Sequence, residues 1–240
     1  MAMLPWNAED LTFDETRFKG RTRLFPLPDL VMFPHVMQPL HIFEPRYREM
    51  LNDALDSDGL IAMSVLAPGW EADYEGRPKL LSPLCIGKIV THQRLGDGRY
   101  NIMLLGMRRA RLLHEVESGR SFRSAEVELL EEVYPNEGEA DRAEMQSVLC
   151  RAFQRALPIP DGAKPTGPVQ ELLASELPLG VLTDLAGFAL PLDGGLKCRL
   201  LAECNVDRRA RMLLDALGRP WKGIPLTPAA VGYPPPFSSN

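Results

Sequence analysis

From Arg23 onward the apolar positions come in short runs cut by prolines. "RLFPLPDLVMFPHVMQPLHIFEP" carries proline at 26, 28, 34, 39 and 45. Proline fixes φ and removes a backbone donor, so no long helix fits here and any strand lies at an edge or a bend. In "PRYREMLNDALDSDG" the period changes. Tyr47, Met50, Leu51 and Leu55 share one helical face, Pro45 suits the first helical position, and Gly59 suits the stop. "LIAMSVLAP" is a continuous apolar run, the pattern of a buried strand. "LCIGKIVTHQRLGDGRYNIMLLGMRRARLLHEV" predicts two long strands joined at Gly96-Asp97-Gly98, with a bulge or bend at Gly106. "FRSAEVELLEEV" adds a strand alternating around Ala125, Val127 and Leu129.

Beyond residue 135 the helical period takes over. Met145, Val148, Leu149, Ala152, Phe153 and Ala156 form one amphipathic face. "PVQELLASEL", "PLGVLTDLAGFAL" and "GGLKCRLLAE" predict shorter helices divided by Pro and Gly. "NVDRRARMLLDALG" predicts a helix capped by Asn205 and stopped at Gly218. Strands followed by helices, rather than alternating with them, predict an α+β chain with segregated units. The boundaries are an extended N-terminal arm (1–21, with Trp6, Phe13 and Phe18), a β-rich part (22–134), a helical bundle (135–218) and a Pro-rich tail (219–240).

Composition narrows the function classes. The 240 residues are 45% hydrophobic and 25% charged, an ordinary globular balance. A net charge of −5 argues against a dedicated nucleic-acid binder. The four cysteines, Cys85, Cys150, Cys198 and Cys204, include no C-x-x-C pair and read as free thiols of a reducing compartment. No basic, apolar leader opens the sequence, and no apolar run reaches the roughly 20 residues a membrane span needs. The expectation is a cytoplasmic protein with no membrane partner.

Candidate chemistry centres on "PLHIFEPRYREML". His41 and Glu44 could be half of a metal site or an acid–base pair. Three residues apart on a strand, they point to opposite faces. The four histidines (35, 41, 92, 114) form no metal-ligand set, so no metal, cofactor or catalytic residue is expected. The competing reading makes Glu44 and Pro45 a strand-to-helix junction, Glu44 accepting from the helix's free N–H groups and pairing with Arg46, Arg48 or Arg109. The arginines 94, 99, 108, 109 and 111 lack interleaved aromatics for stacking bases and read as solvated or ion-paired. The apolar excess around Met32, Phe33, Met37, Phe43 and Tyr47, with Trp70, Met103 and Met107, is a candidate peptide-binding surface.

Three stretches carry a family resemblance. They are "LFPLPDLVMFPHVMQPLHIFEPRYREML", "IGKIVTHQRLGDGRYNIMLLGMRRARLLHE" with G-x-x-R-A-R at Gly106, Arg109, Ala110 and Arg111, and "LPLDGGLKCRLLAECNVDRRARMLLDAL". Together they resemble the N-terminal substrate-binding domain of Lon-type ATP-dependent proteases. "PLHIFEPRY" is most similar to free-standing bacterial Lon-domain proteins. The resemblance implies a PUA-like β pseudo-barrel followed by a small helical bundle. It also implies binding of unfolded or partner polypeptide, as an adaptor for a protease or chaperone, without catalysis. No Walker A string occurs in the sequence, and "PLDGG" lacks the serine of a Lon peptidase site. An RNA-binding PUA-like module, a hydrolase with an unrecognised site and a structural adaptor are the alternatives.

Overall fold

The computed structural model describes residues 12–73, 76–136, 139–156 and 177–218. The helix expected at 168–177, the Pro-rich tail and Trp6 lie outside them or nearly so. Two compact units follow one another, divided between Leu130 and Glu131. The change of period in the sequence falls at 134/135. Val133 pairs in parallel with Asn205, and its N–H donates to the Cys204 carbonyl at 3.0 Å.

In the first unit the elements are β1 (Arg21–Leu27), β2 (Met37–Ile42), α1 (Pro45–Leu55), β3 (Leu60–Val65), β4 (Pro83–Arg94), β5 (Tyr100–Val116) and β6 (Arg123–Leu129). The sheet order is β2-β5-β4-β3-β1-β6, and β5 also pairs with β6. Strands β1, β3, β4, β5 and β6 therefore close into a ring. The β1–β3 pair is parallel because β2 and α1 intervene, and the other pairs are antiparallel. The 17-residue β5 makes closure possible. Along one edge it meets β4. Along the other its first half meets β2 and its second half meets β6.

The hairpin expected at Gly96–Gly98 is present, Gly98 taking φ 79° and donating to the Leu95 carbonyl. Register shifts against β4 leave Val90 and Met107 as extra residues. Such bulges bend a strand and raise its twist. Gly106 sits beside one, where a Cβ would overlap the Phe33 carbonyl. All of β3 is buried, as the apolar run predicts. Helix α1 buries Tyr47, Met50, Leu51 and Ala54. Arg23 fastens it to β1, its Nε donating to Asp53 at 2.5 Å and its Nη1 to Asp58 at 2.7 Å. Gly59, at φ 70°, donates to the Ala54 carbonyl and ends the helix in the left-handed region.

The second unit contains α2 (Glu139–Ala156), α3 (Leu179–Ala189), α4 (Gly194–Ala202) and α5 (Val206–Gly218). Leu149 and Phe153 of the α2 face are buried, whereas Val148 is exposed. Asn205 caps α5 as expected, accepting from the Arg208 N–H at 3.0 Å, and Asp193 caps α4 in the same way through Leu196. Arg209 of α5 is fully buried. It donates to Thr183 Oγ1 at 2.7 Å and the Glu203 carbonyl at 3.1 Å. It also pairs with Glu132 and lies 3.6 Å from buried Asp184. A buried guanidinium is tolerated when its donors are matched this fully. Among the described residues no helix is long and apolar enough to cross a membrane.

Candidate functional site

Strand β2 stands outside the closed ring, and its register with β5 sorts its side chains. The Gly106 N–H donates to the Val36 carbonyl at 2.8 Å. Antiparallel alternation then turns the backbone groups of residues 38, 40 and 42 toward β5 and those of 37, 39 and 41 away from it. Leu40, Ile42, Ile102 and Tyr100 fill the buried face. Met37 opposite Leu105, Pro39 opposite Met103 and His41 opposite Asn101 share the outer face. Met37 is 45% and Phe43 42% exposed, and Phe43 lies against the His41 ring with centroids 6.0 Å apart. The result is an apolar stripe of Met37, Leu105, Pro39 and Met103. It ends at Phe43 beside a polar pair, His41 Nδ1 and Asn101 Oδ1 at 2.7 Å.

The free edge of β2 is guarded. Pro39 has no N–H to offer outward, and its carbonyl accepts from the Gln38 side-chain amide at 3.0 Å. Edge proline and a capped carbonyl both blunt strand addition. Pairing of a further strand along this edge is therefore disfavoured at Pro39.

Of the apolar residues singled out in the sequence, Met37, Met103 and Phe43 meet on this stripe. Met32, Phe33 and Tyr47 do not line a surface. They are 1%, 0% and 6% exposed and belong to the core, Tyr47 packing its ring 4.5 Å from Phe25. Met107 is the half-buried bulge residue on β5, two positions past Leu105. Trp70 begins a short turn, Trp70–Asp73, on the β3–β4 connection. That connection enters β4 opposite Arg111, at the far end of β5 from the stripe.

At the strand-to-helix junction Glu44 takes up one of its two expected contacts, the Arg46 pair, and not the other, the helix cap. Pro45 does start α1, but the Glu44 side chain makes no cap hydrogen bond. Its carboxylate accepts from Arg46 Nε at 2.9 Å, while its backbone carbonyl accepts from Tyr47 and Arg48. The guanidinium two residues on outcompetes the weakly polarised helix N–H groups for the carboxylate. His41 is engaged with Asn101 instead, so the H-x-x-E spacing has no joint role. Arg109 is buried on β5, opposite Cys85, and its carbonyl accepts from Leu130. Among the described residues no three His, Cys, Asp or Glu side chains gather as metal ligands. The other arginines of the cluster have acidic or aromatic neighbours. Arg94 lies over the Tyr100 ring, Arg99 pairs with Asp97, Arg108 with Glu15 and Arg111 with Glu128.

The family model of the ATP-dependent protease La (LON) substrate-binding domain matches residues 21–219. The chain belongs to that family. The matching stretch of this LON domain spans both units. It is 28% identical over 198 residues to Lon protease 2 of Desulfotalea psychrophila, covering 82% of this chain and 24% of that protein. Against the Lon protease of Escherichia coli K12 it is 31% identical over 108 residues, 45% of this chain and 14% of the relative. The chain thus spans about a quarter or less of the curated relatives it matches. The fold matches the N-terminal domain of Mycobacterium avium complex Lon protease, with TM-score 0.62, 20% identity, and 82% and 97% of the two chains covered. It also matches a Lon N-terminal domain protein from Xanthomonas campestris, with TM-score 0.57, 21% identity, and 81% and 97% covered. The mixed α+β architecture is accordingly that of Lon N-terminal domains, and the match is to a substrate-binding domain rather than a catalytic one.

Two residues of the LON-domain stripe escaped the sequence reading, Leu105 and Pro39. Leu105 sits in a run where every second residue is apolar on both faces, so only the pairing with β2 marks it as outward. Pro39 reads as a breaker until the register turns it to the outer face.

Proposed function

We propose that this chain binds exposed apolar segments of unfolded or partner polypeptide through the outer face of β2 and β5, without turnover. The supporting observation is the outer-face stripe of Met37, Leu105, Pro39 and Met103 ending at Phe43, with Met37 and Phe43 exposed and the other three half-buried. Unbranched, polarisable methionines repack against varied side chains, which suits a binder of many sequences. The guarded edge of β2 favours capture by side chains over strand addition, so affinity follows client hydrophobicity rather than backbone shape. The His41–Asn101 pair supplies hydrogen-bonding groups at one end of the stripe, enough to orient a client backbone. The family's description as a substrate-binding domain fits this reading, which extends to an adaptor role beside a protease or chaperone.

The test uses a fluorescently labelled, reduced and carboxymethylated protein as a permanently unfolded probe. Anisotropy should report saturable binding by the wild type. Met37→Lys and Phe43→Ser should each weaken it about tenfold, the loss of roughly 1.4 kcal/mol of contact. Both side chains are exposed, so the thermal midpoint should stay within a few degrees. Undiminished affinity in a Met37→Lys/Phe43→Ser double variant would remove the stripe from the binding surface. Casein turnover by the purified protein would contradict binding without chemistry.

A further inference from the structure

Residues 12–20, the described part of the N-terminal arm, form a turn of their own. The Asp14 carbonyl accepts from the N–H of Arg17 at 3.3 Å and of Phe18 at 3.2 Å. Its carboxylate accepts from the Thr16 N–H at 3.0 Å and hydroxyl at 2.6 Å. This self-contained turn brings Phe13 and Phe18 together, ring centroids 5.3 Å apart. Both rings pack on the buried cluster that includes Leu24, Leu84, Ala110 and Val127. Arg108 of β5 completes the seat, pairing with Glu15 and holding its guanidinium 5.9 Å over the Phe13 ring. A cleft of about 940 Å³ beside the arm is lined by arm residues together with Arg23, Leu60, Lys88 and Phe122. Where the arm enters β1, Gly20, at φ 73°, accepts from the Val127 N–H at 2.8 Å.

Residues 13–18 thus engage the barrel as a bound peptide would: two aromatic anchors in an apolar seat, one charge pair fixing direction, and a turn held by its own hydrogen bonds to Asp14. We propose that this seat is a second peptide-docking site, independent of the β2–β5 stripe, and that the arm is its resident occupant. Its external ligand is a segment with two large apolar side chains five positions apart, as Phe13 and Phe18 are, and an acidic side chain between them to meet Arg108. An occupant tethered through Gly20 acts at an effective concentration on the order of millimolar, so the arm excludes weak competitors and yields to strong ones. Arg108 supplies the selectivity, since a basic residue in place of Glu15 would face the guanidinium at contact distance.

The test is anisotropy with a labelled peptide of residues 12–20, TFDETRFKG, added to the full chain. Phe13→Ala/Phe18→Ala, which empties the seat, should bind it about tenfold more tightly than the wild type does. Arg108→Glu should reverse the preference, taking the Glu15→Arg peptide over the original. Absence of peptide binding by a Phe13→Ala/Phe18→Ala chain that keeps the wild-type circular dichroism and cooperative melting would overturn the proposal. So would indifference of the Arg108→Glu chain to the peptide's charge. If neither variant folds, the two rings are core rather than ligand and the proposal falls. A concentration-dependent dimer that Phe13→Ala/Phe18→Ala abolishes would make the occupant a second copy of the chain, which also contradicts it.

Discussion

Gly106 shows how much a single position decides here. It lies in β5 where the Phe33–Pro34 backbone crosses, and a Cβ would overlap the Phe33 carbonyl. Backbone cannot move aside as a flexible side chain would, so Gly106→Ala should lower unfolding stability in urea by about 2–3 kcal/mol or more. Gly59 is the contrast, with φ 70° but open space around a Cβ. Gly59→Ala should cost about 1 kcal/mol, the left-handed strain alone. Asp97 is legible at the same scale. Hydrogen bonds from the Arg99 side chain and N–H hold its carboxyl at about 2 rather than 3.8. Its folded pKa is depressed, so its contribution to stability is present above 3.8 and is lost as pH falls toward 2. A carboxyl carbon-13 titration should give a midpoint near 2 in the wild type and a higher one in Arg99→Ala, still below 3.8 because the residue 99 N–H is kept. The sequence marked both positions through Asp-Gly and an in-strand glycine. It could not say that Phe33 was the neighbour of Gly106, because 73 residues separate them and only the β2–β5 pairing brings them together.

At the scale of an element, β2 was legible as an edge strand and illegible as a face. Pro39 excluded a central position from the outset. Which side chains look outward depended on the register with β5, and a slip of one residue would exchange the stripe for the core face. Met32 and Phe33 illustrate the limit. They read like their neighbour Met37, yet they precede the left-handed turn at His35, φ 65°, and fall inside. The guard on the edge yields an expected outcome. Pro39→Val returns an outward N–H to β2 while keeping the stripe apolar. It should promote edge-to-edge pairing, seen as concentration-dependent mass growth in light scattering, whereas the wild type should show none through this edge. Equal behaviour of the two chains would mean that the proline plays no protective part.

For the molecule as a whole, the second unit should govern the response to alkali. Burial raises the Cys198 thiol above 9.0, and burial together with Glu132 raises the Tyr134 phenol above 10.0. Both folded pKa values exceed the unfolded ones, so the stabilisation is complete below pH 9 and declines as pH rises past those ordinary values. Lys197 runs the other way, burial lowering its pKa from 10.5, so its penalty is relieved as pH approaches that value. The Cys198 and Tyr134 contributions are separated from that of Lys197 by variants that remove each group in turn. Urea unfolding followed by circular dichroism should show stability falling above pH 9, with Cys198→Ala flattening the onset and Tyr134→Phe the later part. An unchanged slope in both variants would mean that other groups set the alkaline limit.

The sequence by itself determined the α+β order of strands before helices, the hairpin at Asp97-Gly98, the helix starts at Pro45 and Asn205, and the family. The elements follow from periods of two or 3.6 residues and from punctuation by Pro, Gly and Asn, all local properties, and the family from the resemblance of three long stretches. Tertiary structure alone decided that β5 closes the ring by meeting β2 and β6 along one edge. It likewise decided that Met37, Met103 and Phe43 share a face while Met32, Phe33 and Tyr47 do not, and that Phe13 and Phe18 find a seat. These depend on register and on contacts between residues far apart in the chain, and no local pattern encodes which of two apolar faces meets water.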